Sequence, residues 1–189
     1  MILGDRMNMQ SMIEQVAVVT GSGSGMGRAA ALAFTDAGAR VVIGNRNVQQ
    51  GEETVRLIED LGGKAIFVPT DVTQEADVKR LIDKAVSTYG RLDFAFNNAG
   101  VDGNGVRLVD ATEEHYNKIM DTNVKGVWLS MKYELAQMLQ QGKGAIVNNS
   151  SVLGTVAMAE AGIYTASKHA VIGLTRIRSF GICSSWNPR

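Results

Sequence analysis

The sequence contains little of several residue types, and each shortage excludes a class of protein. Cys183 is the only cysteine among 189 residues, and the two histidines form no Cys/His cluster with metal-ligand spacing. Neither charge is in excess, because 19 basic residues balance 19 acidic ones. A balanced charge attracts neither the phosphate backbone of nucleic acid nor an anionic membrane. We therefore expect no metal site, no nucleic-acid or membrane partner, and a reducing cytoplasmic location.

Long apolar runs are also lacking. Residues 1–14 include charged side chains and never form the apolar stretch of a signal peptide or a membrane span. Because Met7, Met9 and Met12 are each a potential start, we interpret residues 1–14 as a dispensable leader. The whole chain is 45% hydrophobic and 20% charged, a composition that suits one globular domain.

Short β-branched apolar runs alternate with longer amphipathic stretches from Val16 onward, the pattern of β-α-β units around a parallel sheet. The predicted strands are 16–19, 40–45, 65–68, 92–96 and 145–148. The predicted helices are 28–36, 49–61, 75–89, 113–139 with a break near Asn123, and one from Tyr164 onward. Helix C-caps are predicted at Gly38, Gly62 and Gly90, and N-terminal capping hydroxyls at Thr73 and Thr112. The predicted fold is one doubly wound α/β domain over residues 15–176, with its ligand at the carboxyl ends of the strands.

A glycine-rich loop follows the first predicted strand and precedes an alanine-rich helix. Its sequence is Thr20-Gly21-Ser22-Gly23-Ser24-Gly25-Met26-Gly27. Glycines let a backbone turn tightly and approach a pyrophosphate, and a helix N-terminus favours negative charge. A tight turn without a ligand is the alternative, but the strand before and the helix after favour a dinucleotide site. The predicted cofactor-binding residues of this loop are Gly21, Ser24, Gly25, Met26 and Gly27.

Tyr164 and Lys168 are four residues apart on a predicted helix and therefore lie on one face of it. A cation about 4 Å from a phenol, at an effective dielectric constant near 20, favours the phenolate by about 4 kcal/mol. That preference brings a phenol with an ordinary pKa of about 10 close to neutral pH. Alone, such a pair is more often a plain surface contact. Here Ser151 precedes Tyr164 by 13 residues, at the end of the fifth predicted strand.

These motifs together resemble the short-chain dehydrogenase/reductase family, whose fold is a Rossmann-type parallel sheet with helices on both faces. The resemblance includes Asn97-Asn98-Ala99-Gly100 after the fourth strand. It implies an oxidoreductase that transfers hydride between NAD(P)(H) and a small-molecule carbonyl or secondary alcohol. It also implies four catalytic roles: Tyr164 is the general acid/base, Lys168 favours the phenolate and holds the nicotinamide ribose, Ser151 orients the substrate, and Asn123 completes a proton relay.

The resemblance further implies how the cofactor is held. Where NAD-preferring members have an acidic residue after the second strand, this chain has Asn45 and Arg46. A guanidinium binds a 2′-phosphate through charge-assisted hydrogen bonds, so we favour NADP(H); NAD(H), with Arg46 only solvated, is the alternative. The other implied cofactor contacts are Asp71, Val72, Asn98, Ala99, Gly100, Tyr164 and Lys168. The family also suggests a homo-dimer or homo-tetramer.

The resemblance covers residues 16–176 and stops at the tail. Residues 177–189 include Gly181 and Pro188, which interrupt a helix where the family has an alanine-rich one. We hypothesise that this tail is the family helix read out of frame after a one-base insertion. Loss of the last strands and of the substrate lid then predicts weak turnover and weakened assembly.

Two other functions compete with the enzyme. A non-catalytic dinucleotide-binding module accounts for the glycine loop but has no need of Tyr164 and Lys168 beside Ser151. A Rossmann-type methyltransferase is disfavoured by the TGxxxGxG form of the loop and by the Tyr-x-x-x-Lys pair. Substrate identity is not predicted beyond an apolar wall in residues 101–109 and in the segment after Ser151.

Overall fold

The computed structural model describes residues 12–103 and 105–177. Most of the predicted leader, and residues 178–189 of the predicted tail with Cys183, lie outside the described residues. No helix in the described part of the chain is long and apolar enough to cross a membrane.

A sheet of five parallel strands in the order β3-β2-β1-β4-β5 forms the centre of the molecule. The strands are β1 (Val16–Thr20), β2 (Arg40–Asn45), β3 (Lys64–Pro69), β4 (Phe94–Asn97) and β5 (Ala145–Asn148). The chain winds from β1 outward to β3, then crosses back so that β4 pairs with the other side of β1. The predicted doubly wound α/β fold is confirmed, and the order reverses between β1 and β4, where such sheets bind ligands.

Six α-helices connect and cover the described strands. They are α1 (Gly25–Asp36), α2 (Val48–Asp60), α3 (Glu75–Tyr89), α4 (Glu113–Met120), α5 (Gly126–Gln141) and α6 (Gly162–Thr175). One π-helical turn, Asp121–Lys125, joins α4 to α5 without a loop. The break predicted near Asn123 is therefore this local widening of one long helix.

The core explains why β1 is a continuous apolar run. Val16 and Val18 face a cluster that includes Leu81 of α3, whereas Val19 on the opposite face joins a cluster with Ile58 of α2. Both faces of β1 are covered by helices, so alternation with polar residues is absent. Burial of each such side chain stabilises the fold by about 1.5–3 kcal/mol.

Several predicted boundaries shift for identifiable reasons. Helix α1 begins at Gly25, three residues before the prediction, because the end of the glycine loop is already helical. Strand β4 begins at Phe94 instead of residue 92, since the Leu92 N–H donates to the Gln141 side chain, 3.1 Å away. The remaining elements agree to within two residues of the predicted ranges.

Two of the predicted caps, Gly90 and Thr112, are confirmed. The C-caps of α1 and α2 are Ala37 and Leu61, and the predicted Gly38 and Gly62 each lie one residue further, in the left-handed conformation. Gly90 ends α3 in the left-handed conformation, and the Thr112 hydroxyl accepts the His115 N–H at the start of α4. The prediction for Thr73 is wrong. Its hydroxyl donates to Asp71 Oδ1 at 2.8 Å, and Gln74 occupies the N-cap of α3 without a side-chain bond.

Candidate active site

The carboxyl ends of β1, β4 and β5 lie side by side and carry the three segments predicted to act together. The glycine loop follows β1, Asn98-Ala99-Gly100 follows β4, and Asn149-Ser150-Ser151 follows β5. In the register of the sheet, Thr20 of β1 pairs with Asn97 of β4, and Asn97 pairs with Asn148 of β5. The three segments that follow these residues therefore begin at the same height along the strands. Residues far apart in sequence therefore meet at one edge.

Two glycines of the loop are required by close backbone contacts. A Cβ at Gly27 would lie 2.2 Å from the Gly21 carbonyl oxygen, and one at Gly21, where φ is +64°, would lie 2.8 Å from the Ala99 Cα. The loop therefore folds tightly over the start of α1. This shape leaves the helix N-terminus accessible, as a pyrophosphate site requires.

The N-terminus of α1 is accessible to an anion. Ser24 is the N-cap residue, and its side chain makes no capping bond. Met26, in the first turn, is 68% exposed. Arg28 bonds the Gly23 carbonyl and the Thr54 hydroxyl, so its side chain holds the loop to α2. The loop is thus fixed from behind while its outer surface stays open.

A cavity of about 410 Å³ joins the loop to the Tyr164 helix. Its lining residues include Gly21, Ser24, Met26, Asn45, Asn98, Ala99, Gly100, Asn149, Ser150, Tyr164 and Lys168. A second cavity of about 150 Å³ is lined by Gly21, Asn45, Arg46, Asp71, Val72, Ala99 and Gly100, among others. The two cavities share four of these residues and together form a groove suited to an extended dinucleotide. A cavity of about 490 Å³ elsewhere, beside Gly38 and Gly62, contains none of the predicted site residues.

The predicted adenosine contacts differ in exposure. Arg46 is exposed at the rim, whereas Asn45 donates to the Asn47 carbonyl at 2.8 Å and packs against Gly23. The Asp71 carboxylate accepts the N–H and hydroxyl of Thr73, at 2.9 and 2.8 Å. Arg46 is thus the cation that a phosphate at this end would meet.

A hydrogen-bond network ties the three strand ends together. The Thr20 hydroxyl accepts the N–H groups of Asn98 and Ala99 at 3.1 and 3.2 Å. The Asn98 side chain donates to the carbonyls of Thr20 and Gly21 and accepts from Asn149 Nδ2 at 3.0 Å. Thr20 was not among the residues assigned from the sequence, because a strand-ending threonine does not reveal which amides its hydroxyl will meet.

Lys168 is buried beside Tyr164. Its ammonium donates to the Asn149 carbonyl at 2.9 Å and lies 5.5 Å from the centre of the Tyr164 ring. Burial lowers the pKa of Lys168 below its ordinary value. The predicted pair is therefore formed, and Lys168 is held in place by the end of β5.

The two serines after β5 have different partners. Ser150 lines the larger cavity, and its hydroxyl donates to the Lys168 carbonyl at 3.0 Å. The Ser151 hydroxyl accepts the Leu153 N–H at 3.2 Å, and Ser151 is not among the residues lining that cavity. The cavity therefore contains the predicted catalytic residues Tyr164 and Lys168 but does not contain Ser151.

Asn123 is 1% exposed in the π-helical turn. Its side chain pairs with the Val101 backbone, accepting the N–H and donating to the carbonyl, both at 2.8 Å. It also donates to the Ser167 hydroxyl at 3.1 Å, which in turn donates to the Tyr164 carbonyl. Asn123 therefore connects the segment after Gly100 to the Tyr164 helix. Its hydrogen bonds in the structure do not include one to Lys168.

Among the residues that the structure describes, no group of three His, Cys, Asp or Glu side chains is placed to hold a metal ion. The donors that do converge suit a dinucleotide: a glycine loop over a helix N-terminus and a buried lysine beside a tyrosine. Residues 15–180 match the family model of the short chain dehydrogenases. The chain belongs to this family. The resemblance expected from the motifs is confirmed.

Alignments with two named dehydrogenases cover most of this chain. It is 42% identical to a 2,5-dichloro-2,5-cyclohexadiene-1,4-diol dehydrogenase of Sphingobium indicum over 85% of its length. It is 38% identical to a cyclohexanol dehydrogenase of an Acinetobacter species over 86% of its length. The match spans 63% and 64% of these two relatives. A short-chain dehydrogenase/reductase of Burkholderia phymatum, solved in complex with NAD, superposes with a TM-score of 0.84 at 36% identity, covering 87% of this chain and 58% of that one.

Proposed function

We propose that this chain binds a nicotinamide dinucleotide along the groove and interconverts a secondary alcohol and a carbonyl. The observation that carries the proposal is the cavity of about 410 Å³, which is lined both by the glycine loop and by Tyr164 and Lys168. When bound, the cofactor supplies or accepts the hydride. The chain must then hold the substrate oxygen and move its proton.

Tyr164 is the proposed general acid/base, exchanging a proton with the substrate oxygen. Lys168 supports it, because an ammonium 5.5 Å from the ring stabilises negative charge that develops on the phenol oxygen. The bond from Lys168 to the Asn149 carbonyl fixes this cation without neutralising it. The ammonium has two further N–H donors, which we assign to the cofactor ribose.

Hydrogen bonding supports Ser151 over Ser150 as the substrate-orienting residue. The Ser150 proton is committed to the Lys168 carbonyl. The Ser151 oxygen accepts the Leu153 N–H, which leaves its own proton free to donate to a substrate oxygen. Such a donor stabilises charge developing on that oxygen.

The proposed substrate class is a cyclic secondary alcohol or its ketone. The two named relatives are dehydrogenases of six-membered-ring alcohols. In this chain, the segment that follows Ser151 has three large exposed apolar side chains, namely Val152, Val156 and Met158. An apolar wall of this kind suits a hydrocarbon ring.

Arg46 supports NADP(H) as the preferred cofactor. It is exposed at the rim of the smaller cavity and follows Asn45, an uncharged residue at the position after β2 where NAD-preferring members of the family have a carboxylate. The NAD complex of the Burkholderia relative keeps NAD(H) as the alternative for this chain.

Replacing Tyr164 tests the proposed chemistry. Under single-turnover conditions with NADPH and a cyclohexanone, we expect Tyr164→Phe to slow cofactor oxidation by about 10²- to 10⁴-fold while cofactor affinity stays within about twofold. The matched control is Tyr116→Phe on α4, an exposed tyrosine that does not line the larger cavity, which should retain the wild-type rate. A Tyr164→Phe rate equal to the wild type, or no hydride transfer by the wild type, contradicts the proposal.

A further inference from the structure

A buried carboxyl group lies behind the site and takes no part in the proposed chemistry. Glu134 of α5 is 0% exposed. Its Oε2 accepts a hydrogen bond of 2.9 Å from Asn97 Nδ2, at the end of β4. The same Asn97 nitrogen donates to Asn148 Oδ1, also at 2.9 Å, at the end of β5. The carboxyl group therefore lies where α5 meets the two strands that carry the active-site turns.

Two buried oxygens at this contact have no hydrogen-bond donor among the described residues: Oε1 of Glu134 and Oδ1 of Asn97. They belong to the two partners of one hydrogen bond. A buried acceptor without a donor is costly, and native cores rarely leave one unpaired. One proton on Glu134 Oε1 removes both deficits, because a carboxylic acid and a primary amide can exchange two hydrogen bonds in a ring.

We propose that Glu134 is a neutral carboxylic acid that donates its proton to Asn97 Oδ1 and so acts as a positioning residue for the ends of β4 and β5. The amide at Asn97 cannot rotate once both of its atoms are bonded. Its second Nδ2 hydrogen then points at Asn148 and holds the two strands in register. Asn98 and Asn149, the next residue on each strand, are the ones that bind the glycine loop and Lys168.

The described residues around Glu134 offer no cation to stabilise an ionised form. On its own helix, Lys132 and Tyr133 bind Glu75 of α3 at the surface. Strands β4 and β5 present the neutral amides of Asn97 and Asn148, and Lys168 of α6 is bonded to the Asn149 carbonyl. Burial raises the pKa of Glu134 to about 7, and the hydrogen bond from Asn97 opposes this only in part.

The sign of the pH dependence follows from proton counting. An unfolded glutamate ionises near pH 4.5, whereas the folded chain keeps the Glu134 proton until about pH 7. Between these values the folded state binds one more proton than the unfolded state, so the stability contributed by this group falls as pH rises. Below pH 4.5 both states are protonated, and this loss is absent.

The variant Glu134→Gln distinguishes the effect of the titrating proton from the effect of the hydrogen bonds. Glutamine donates to Asn97 Oδ1 and accepts from Asn97 Nδ2, as the neutral acid does, but it does not titrate. Thermal unfolding should show that the two proteins have similar midpoints at pH 5. At pH 8 the wild type should melt about 5 °C or more below Glu134→Gln. Glu75→Gln is the matched control, because the pKa of that exposed carboxylate is lowered, and its difference from wild type should not change between pH 5 and pH 8.

The infrared spectrum gives an independent readout that needs no cofactor, and its pH dependence is measured on the wild type. A carbonyl stretch of a protonated carboxylic acid should be present at pH 6, absent at pH 9, and absent from Glu134→Gln at both. Three results would overturn the proposal: parallel unfolding curves for wild type and Glu134→Gln, a variant that melts far lower at pH 5, or no acid band at pH 6. None of these bears on whether hydride transfer occurs.

Discussion

At the scale of the residue, Arg46 and Lys168 hold their charges in opposite environments. Arg46 is exposed at the cavity rim, where a 2′-phosphate would meet it in water, whereas Lys168 is buried and its pKa is lowered by that burial. A surface cation discriminates between ligands by one extra charge-assisted contact. A buried one acts on the reacting atoms, because solvent does not screen it.

We expect Arg46→Ala to weaken NADPH binding about tenfold and to leave NADH binding within about twofold, since only NADPH carries the 2′-phosphate. The measurement is the dissociation constant for each cofactor. Arg56→Ala on α2 is the control, because that arginine pairs with Glu53 and Asp60 and lines neither site cavity. An equal loss for both cofactors would show that Arg46 does not read the phosphate.

The site residues that could be predicted from the sequence are those that a backbone contact or a fixed spacing requires. Gly21 and Gly27 could be predicted because only glycine fits the contacts that this loop makes. Glu134 could not, because a helical glutamate is ordinarily solvated. One pattern does point to it: Val127, Ser130, Glu134 and Met138 recur at helical spacing and are all buried, so the acid lies within a core-facing stripe.

At the scale of the element, the joint between α4 and α5 explains how one helix serves the site. The π-helical turn widens the helix and turns Asn123 inward, where it pairs with both backbone groups of Val101. The sequence predicted an interruption at this asparagine but not its form. The extra residue of a π turn is fixed by tertiary hydrogen bonds, which no local pattern encodes.

Removing the Asn123 side chain should therefore cost stability. Asn123→Ala deletes three hydrogen bonds in a buried position, and we expect the free energy of unfolding in urea to fall by about 2–4 kcal/mol. Asn117→Ala, at an exposed position of α4, should change it by no more than about 0.5 kcal/mol. A change at Asn123 as small as that at Asn117 would mean that the bonds to Val101 do not hold the joint.

The bounds of some strands and the starts of some helices were predicted correctly, including α3 at Glu75 and α4 at Glu113. Buried parallel strands are apolar runs that end at turn residues, so β2 and β5 were predicted with their observed bounds. The start of α1 depends on how the glycine loop folds, and the N-cap of α3 depends on a competing bond from Thr73 to Asp71. Both are decided by hydrogen-bond partners that the sequence does not specify.

In the molecule as a whole, the order of the strands in the sheet determines which segments meet at the site. The chain crosses from β3 to β4 and places the glycine loop, the Asn98 turn and the Lys168 helix around one groove. Family membership and the α/β fold followed from motifs spaced along the sequence. The proposed roles of the individual residues depend on where a cofactor lies in this groove, and strand order alone does not determine that position.

We propose that this groove binds a nicotinamide dinucleotide beside Lys168. Calorimetric titration of the 189-residue chain with NADPH and with NADH tests it directly. We predict one dinucleotide per chain, with an affinity that Lys168→Met lowers about tenfold or more and that Lys118→Met, at an exposed position of α4, leaves unchanged. Absence of binding by both cofactors, or equal affinities for the wild type and Lys168→Met, would contradict the proposed dinucleotide site.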